Sequence, residues 1–305
     1  MNELLNKIRK ECIPFTACGK VADYIPELSK ACPDSLGICI ATEAENIYCS
    51  GDCEKEFTMQ SIVKPFILLL ALMDKGEGCV RQLVGAEATG KPFDAFNYSD
   101  QALKSEHINP MINTGAIALC TLVSGNGSLE KFERLLKLIQ KFADNPDITM
   151  DESVYISEKT TGSKNRALAY MLKAYKMIDG DVEDILDLYF RACSVKITAA
   201  DLARVAFVFA NGGKDIKSGK QLVERKYAKY INAVLMTSGM YDGSGEFAIN
   251  VGVPAKSGVG GGIMAVVPNR MGIGIYSPAL DSKGNSLAGT KALEILSREL
   301  DLSIF

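Results

Sequence analysis

The sequence predicts an α+β protein, with a five-stranded antiparallel sheet assembled from the two ends of the chain and an all-helical lobe inserted between them. Three observations lead there. Strand-like apolar runs bounded by turn residues occur only near the two ends of the 305-residue chain. The connectors between the C-terminal runs are three or four residues long, and a parallel crossover needs a dozen or more. The stretch between the two ends has helical periodicity and almost no alternating pattern.

Taken in order, residues 1–11 form an amphipathic helix with Leu4, Leu5 and Ile8 on one side. Residues 36–41 and 46–50 are two strands, and the polar stretch Thr42-Glu43-Ala44-Glu45 suits a hairpin. Helices are expected at 165–177, 182–192 and 199–210. Thr198 is placed to cap the third, and Gly212-Gly213 to stop it. Strands follow at 253–257, 262–267 and 271–276, joined by Gly258-Val259-Gly260-Gly261 and Pro268-Asn269-Arg270. A helix at 287–302 closes the chain. The expected division is a sheet-bearing lobe of residues 1–75 and 237–305 and a helical lobe of 76–236. Clefts between such lobes are favoured places for small-molecule sites.

Composition removes several classes of function. The net charge is −3, with no stripe of Lys or Arg, so a nucleic-acid partner is not expected. The longest apolar run, Phe66 to Met73, is eight residues, where a membrane span needs about 20. Charges interrupt the first eleven residues, so they are no signal peptide, and the expected location is the cytoplasm. The nine cysteines are odd in number and contain no Cys-x-x-Cys pair. Reduced, mostly buried thiols follow, with a thiolate zinc site as the lesser reading. His107 is the only histidine, which excludes a His-rich metal centre. It is either a general base or a surface or loop residue. No metal and no organic cofactor is expected.

The sharpest local feature is Gln60-Ser61-Ile62-Val63-Lys64-Pro65. A spacing of three puts Ser61 and Lys64 on one helix face. Pro65 is tolerated only near a helix start, so Ser61 belongs at or beside the N-terminus. There, free N–H groups and the positive end of the helix dipole favour an oxygen that is becoming anionic. The residues that follow are apolar to Met73 apart from Lys64, so the lysine should be buried. Desolvation then favours a neutral amine able to take a proton from Ser61. The plainer alternative is a capping serine and a snorkelling lysine. A second feature, Lys256-Ser257-Gly258-Val259-Gly260-Gly261-Gly262, ends a strand in a turn of small residues. The N–H of Val259 could complete an oxyanion hole with that of Ser61, or the stretch could be an ordinary glycine hairpin.

Ser-x-x-Lys followed by Lys-Ser/Thr-Gly resembles the signature of beta-lactamases and penicillin-binding proteins. The longer motifs resemble the serine-dependent glutaminases, a branch of the same beta-lactamase-like fold. The matching stretches include Gly19 to Pro26, Gln60 to Lys64, Asn109-Pro110-Met111-Ile112-Asn113-Thr114-Gly115-Ala116 and Ser157-Glu158. Asn165-Arg166, Tyr189-Phe190, Met240-Tyr241-Asp242 and Lys256 to Gly262 continue the series. One departure is Thr114, where the family pattern has Ala.

The resemblance implies hydrolysis of L-glutamine to L-glutamate and ammonia through a glutamyl ester, by a homodimer or homotetramer. Ser61 would be nucleophile, Lys64 its base, and Tyr241 a proton shuttle aided by the charge of Lys256. Tyr24, Gln60, Asn113, Glu158, Asn165, Tyr189 and Val259 would line the substrate pocket. In chemical terms Glu158 can pair with the substrate ammonium, while the amides and the phenol bind its carboxylate. Two rival readings stand beside this one. A beta-lactam or peptidoglycan hydrolase has an extracytoplasmic substrate, and its Ser-Asp-Asn element is not found between Lys64 and Lys256. A catalytically silent glutamine-binding sensor is opposed by the intact Ser61, Lys64, Tyr241 and Lys256.

Overall fold

The computed structural model describes residues 1–43, 46–88 and 108–305. His107 and the tip of the hairpin expected at 42–45 lie outside them. The elements run α1 (Asn2–Cys12), β1 (Gly37–Thr42), β2 (Ile47–Gly51), β3 (Phe57–Thr58), α2 (Lys64–Leu83), α3 (Asn113–Cys120), α4 (Gly127–Ala143), α5 (Glu152–Thr161), α6 (Ser163–Ala174), α7 (Val182–Cys193), β4 (Lys196–Ile197), α8 (Ala199–Ala210), α9 (Arg225–Ser238), α10 (Ser244–Asn250), β5 (Ala255–Ser257), β6 (Gly262–Val267), β7 (Met271–Tyr276) and α11 (Leu287–Leu300). None of the described helices is long and apolar enough to cross a membrane.

The five longer-range strands form one sheet in the order β2-β1-β7-β6-β5, antiparallel at every step. Strands β6 and β7 occupy the expected residues because a tight turn at Asn269 (φ 58°) fixes their register. Strand β5 is shorter than expected. Gly252 turns the chain at φ 73° and Pro254 has no N–H to give, so the ladder begins at Ala255. The two-residue ladder of β3 with β4 was not expected, since two residues cannot show alternation. Helix α6 ends earlier than expected, where Lys176 adopts φ 56°.

Both faces of the sheet are covered, which is why its strands are continuous apolar runs rather than alternating ones. One face packs Ile38, Ile40, Ile273 and Ile275 with Leu5 and Ile8 of α1 and Leu293 and Leu296 of α11. The other face, with Cys39, Ala41, Met264 and Val266, joins the core shared with the helices. Helix α8 lies on this second face, its start fixed by a reciprocal capping box between Thr198 and Asp201. It sits unusually close. A Cβ on Gly274 would fall 2.1 Å from the Ala199 carbonyl oxygen, and one on Gly272 2.1 Å from the Phe207 nitrogen.

Helix α2 is buried from Lys64 to Leu72. Its Phe66 meets Phe142 and Phe209 edge-on, with centroids 5.3 and 5.7 Å apart. The aromatic trio ties α2 to α4 and α8, and so holds the helix start against the sheet.

Because backbone rather than a flexible side chain blocks the space, Gly274→Ala must push α8 off the sheet. The expected loss is about 1–3 kcal/mol of stability, read as a fall in the urea midpoint at unchanged slope.

Candidate active site

The site is organised around the entry to α2. Residues Gln60–Val63 form a single 3-10 turn that runs into α2, with Pro65 in its first turn. Ser61 therefore lies just before the α-helix, within reach of its positive end. Gln60 is held at φ 48°, a left-handed conformation that costs a non-glycine residue energy and commonly marks a functional position. Tyr241, in the 3-10 turn between α9 and α10, is held the same way at φ 53°.

Lys64 is fully buried, so its amine must find partners inside the protein. The Nζ donates to Asn113 Oδ1 at 2.7 Å and to the Met111 carbonyl at 3.2 Å. Asn113 Oδ1 also accepts from the Tyr189 hydroxyl at 3.2 Å, and Asn113 Nδ2 donates to Asn165 Oδ1 at 2.9 Å. One asparagine thus links α2, α3, α6 and α7. It arrives there because Asn109 Oδ1 accepts the Met111 N–H at 2.7 Å, shaping the turn before α3. Burial pushes the Tyr189 hydroxyl well above its usual pKa, so it stays protonated and can donate.

Lys256, the last lysine before the glycine loop, is also fully buried. Its Nζ donates to the carbonyls of Gly239 at 2.9 Å and Ser257 at 2.6 Å. It lies 4.2 Å from the centre of the Tyr241 ring. Burial first, and the nearby Lys64 second, bring the Lys256 pKa well below its usual value. The Tyr241 pKa is raised by burial, and a hydrogen bond with Ser61 opposes that rise.

Glu158 projects from α5 into the same space and is almost wholly buried. Desolvation lifts its pKa to about 7, against a hydrogen bond from Gln60 and the charge of Lys64. A carboxyl in this condition gains charge readily if a cation comes to it. Gln60 is itself braced by Thr58, its Nε2 donating to the Thr58 hydroxyl at 3.3 Å.

The loop after β5 closes the site from the other side. Gly258 and Gly260 lie so near the strand leading to Ser61 that a Cβ would meet the carbonyls of Met59 at 2.5 Å and Thr58 at 2.4 Å. Only glycine permits that approach, and it carries Val259 to the site. Ala22, Ile25, Leu28, Val154 and Leu280 pack around Val259. Tyr24 remains exposed and lines, with Val259 and Tyr241, a cavity of about 720 Å³. Ser257 is buried, and its hydroxyl has no hydrogen-bond partner among the described residues. Thr114, the departure from the family pattern, is buried in α3 beside Asn113.

All eleven residues singled out in the sequence are described. Lys64, Asn113, Asn165 and Tyr189 form one hydrogen-bonded group and Gln60 with Glu158 a second; Tyr241 is hydrogen-bonded with Ser61 and carries Lys256 over its ring, while Val259 and Tyr24 line a shared cavity with it. The carbonyls of Met111 and Gly239 were missed, since any residue type can supply a carbonyl. Asn109 could have been found from the Asn-Pro turn signal in front of α3.

A family model described as Glutaminase matches residues 19–305. A protein of Clostridioides difficile strain 630 named Glutaminase is 50% identical over 309 residues, covering 100% of both chains. One of Clostridium botulinum strain Hall, also named Glutaminase, is 49% identical over 305 residues, again covering 100% of both. Among solved structures, a probable glutaminase from Bacillus subtilis complexed with 6-diazo-5-oxo-L-norleucine has a TM-score of 0.90 at 37% identity, covering 99% of this chain and 95% of that one. A covalent complex between the Bacillus subtilis glutaminase and 5-oxo-L-norleucine, formed by reaction with 6-diazo-5-oxo-L-norleucine, has a TM-score of 0.91 at 36% identity, covering 100% and 99%.

The Glu158 carboxyl should titrate near pH 7 in the free protein, as read by carbon NMR of the side-chain carboxyl. In Gln60→Leu, which takes away a hydrogen bond to the ionised form, the midpoint should move upward.

Proposed function

The chain belongs to the glutaminase family, has its beta-lactamase-like fold and hydrolyses L-glutamine to L-glutamate and ammonia, and on that footing we propose that Ser61 is the nucleophile. Ser61 Oγ attacks the side-chain amide carbon while its proton passes to Lys64 or Tyr241. The N–H groups of Ser61 and Val259 hold the oxyanion. Tyr241 hands a proton to the departing nitrogen, leaving ammonia and a glutamyl ester on Ser61. Water then adds to the ester with the same groups taking its proton, and glutamate leaves. Lys256, whose Nζ lies 4.2 Å from the centre of the Tyr241 ring, is placed to steady that ring as its hydroxyl gives up and regains a proton.

The observation that carries this reading is the meeting of Ser61, Lys64, Tyr241 and Lys256 at one helix entry. The covalent complex of the Bacillus subtilis protein with 5-oxo-L-norleucine supports it, as that is what a nucleophile attacking the analogue would leave. Glu158 binds the substrate ammonium. Asn113, Asn165 and Tyr189 hold its carboxylate, and Gln60 and Tyr24 complete the pocket. The site belongs to the cleft between a sheet-bearing lobe of residues 1–75 and 237–305 and a helical lobe of 76–236. The family resemblance supports a homodimer or homotetramer.

Ammonia release from L-glutamine by Ser61→Ala should fall on the order of 10⁴-fold or more. Release at the unaltered rate would discard Ser61 as nucleophile. Below about pH 7 Glu158 takes up a proton and loses the charge that faces the ammonium. KM for glutamine should therefore climb towards about tenfold per pH unit on the acid side, and in Glu158→Gln it should be raised throughout, with that dependence gone.

A further inference from the structure

Three thiols come together on the sheet, and no step of glutamine hydrolysis uses them. Cys39 lies on β1 and Cys49 directly opposite it on β2. In the same register the pairs Thr42–Asn46 and Leu36–Asp52 are joined by ladder hydrogen bonds of 3.1 Å. Both stand three steps from Cys39–Cys49. That makes the cysteines a non-hydrogen-bonded pair, the kind in which facing side chains approach most closely. Just past β2 the chain turns back, the Cys53 N–H donating to the Gly51 carbonyl at 2.8 Å. The turn brings the Cys53 sulfur under the pair, near the Ser50 and Ile38 carbonyls. All three sulfurs lie within 4.8 Å of one another.

We infer that Cys39, Cys49 and Cys53 form a three-thiolate site for a soft metal ion of the copper(I) type. Thiolates about 2.3 Å from a shared metal stand about 3.8–4.0 Å apart in trigonal or tetrahedral arrangements, so the cluster needs to contract by about 1 Å at most. Sulfur ligands select copper(I) and zinc over hard cations. No histidine or carboxylate joins the three among the described residues. A structural zinc site closes with four protein ligands, and a set of three sulfurs suits copper(I) better. Access is available, because Cys39 and Cys53 are buried while Cys49 is half-exposed on the edge strand.

In binding, three S–H bonds break, three copper–sulfur bonds form and three protons go to solvent, while copper stays monovalent. The occupied site would fasten β1 and β2 to the segment that runs from Cys53 through β3 to Ser61.

The test is an anaerobic competition in which the protein withdraws copper(I) from its coloured bicinchoninate complex. The wild-type chain should take one equivalent, and so should Cys18→Ser/Cys32→Ser/Cys79→Ser, which lacks the exposed thiols. Cys49→Ala should bind at least tenfold more weakly. One equivalent of copper(I) should also raise the melting temperature of the wild type and leave that of Cys49→Ala unmoved. Should Cys49→Ala fail to fold, Cys49→Ser makes the same comparison. Copper taken up by the wild type but not by the triple variant would overturn the inference, as would full affinity in Cys49→Ala or Cys49→Ser.

Discussion

An amine with no exposed surface has to satisfy its hydrogen bonds inside the protein, and Lys64 does so on Asn113 and Met111. Leaving such a group without partners costs about 1–3 kcal/mol, and more when it is charged. The helical part of the molecule is arranged so that this does not happen. The turn at Asn109 aims the Met111 carbonyl, and α3 begins at the residue that meets the amine. Asn113 then recruits Tyr189 and Asn165 from two further helices. A requirement set by one side chain therefore fixes how four helices meet.

The second lysine answers the same requirement with backbone alone. Lys256 rests on two carbonyls, and its remaining neighbour is the face of a tyrosine ring. With two amines in one water-poor space, charging either makes charging the other harder. The strained backbone of Gln60 and Tyr241 places a side chain from each edge of the site where helical or extended geometry would not.

How much of this could be read beforehand varied with the range of the interaction. Strands β6 and β7 were legible to the residue, because a Pro-Asn-Arg turn and continuous apolar runs are local signals. The Thr198 cap was legible for the same reason. The Ser61–Lys64 spacing was legible as one helix face, though not as more than that. Asn113, Glu158, Asn165 and Tyr189 lie on four separate helices, and nothing within any of those helices says that they converge. Motif resemblance alone brought them together. The carbonyl partners of both lysines and the register that sets Cys39 against Cys49 had no local signal at all.

The strand order has a consequence for how the protein is made. β1 is an early product of the ribosome, yet one of its two neighbours is β7, translated after the entire helical insert. During synthesis that edge of β1 has no partner of its own, and the apolar faces of the β1–β2 hairpin must wait uncovered or be sheltered. Ser61 and Lys64 emerge early, while Tyr241, Lys256 and Val259 arrive last. Ser61 and Lys64 therefore spend most of translation apart from Tyr241, Lys256 and Val259, and a chain cut short anywhere in the insert would lack three of the five strands of the sheet.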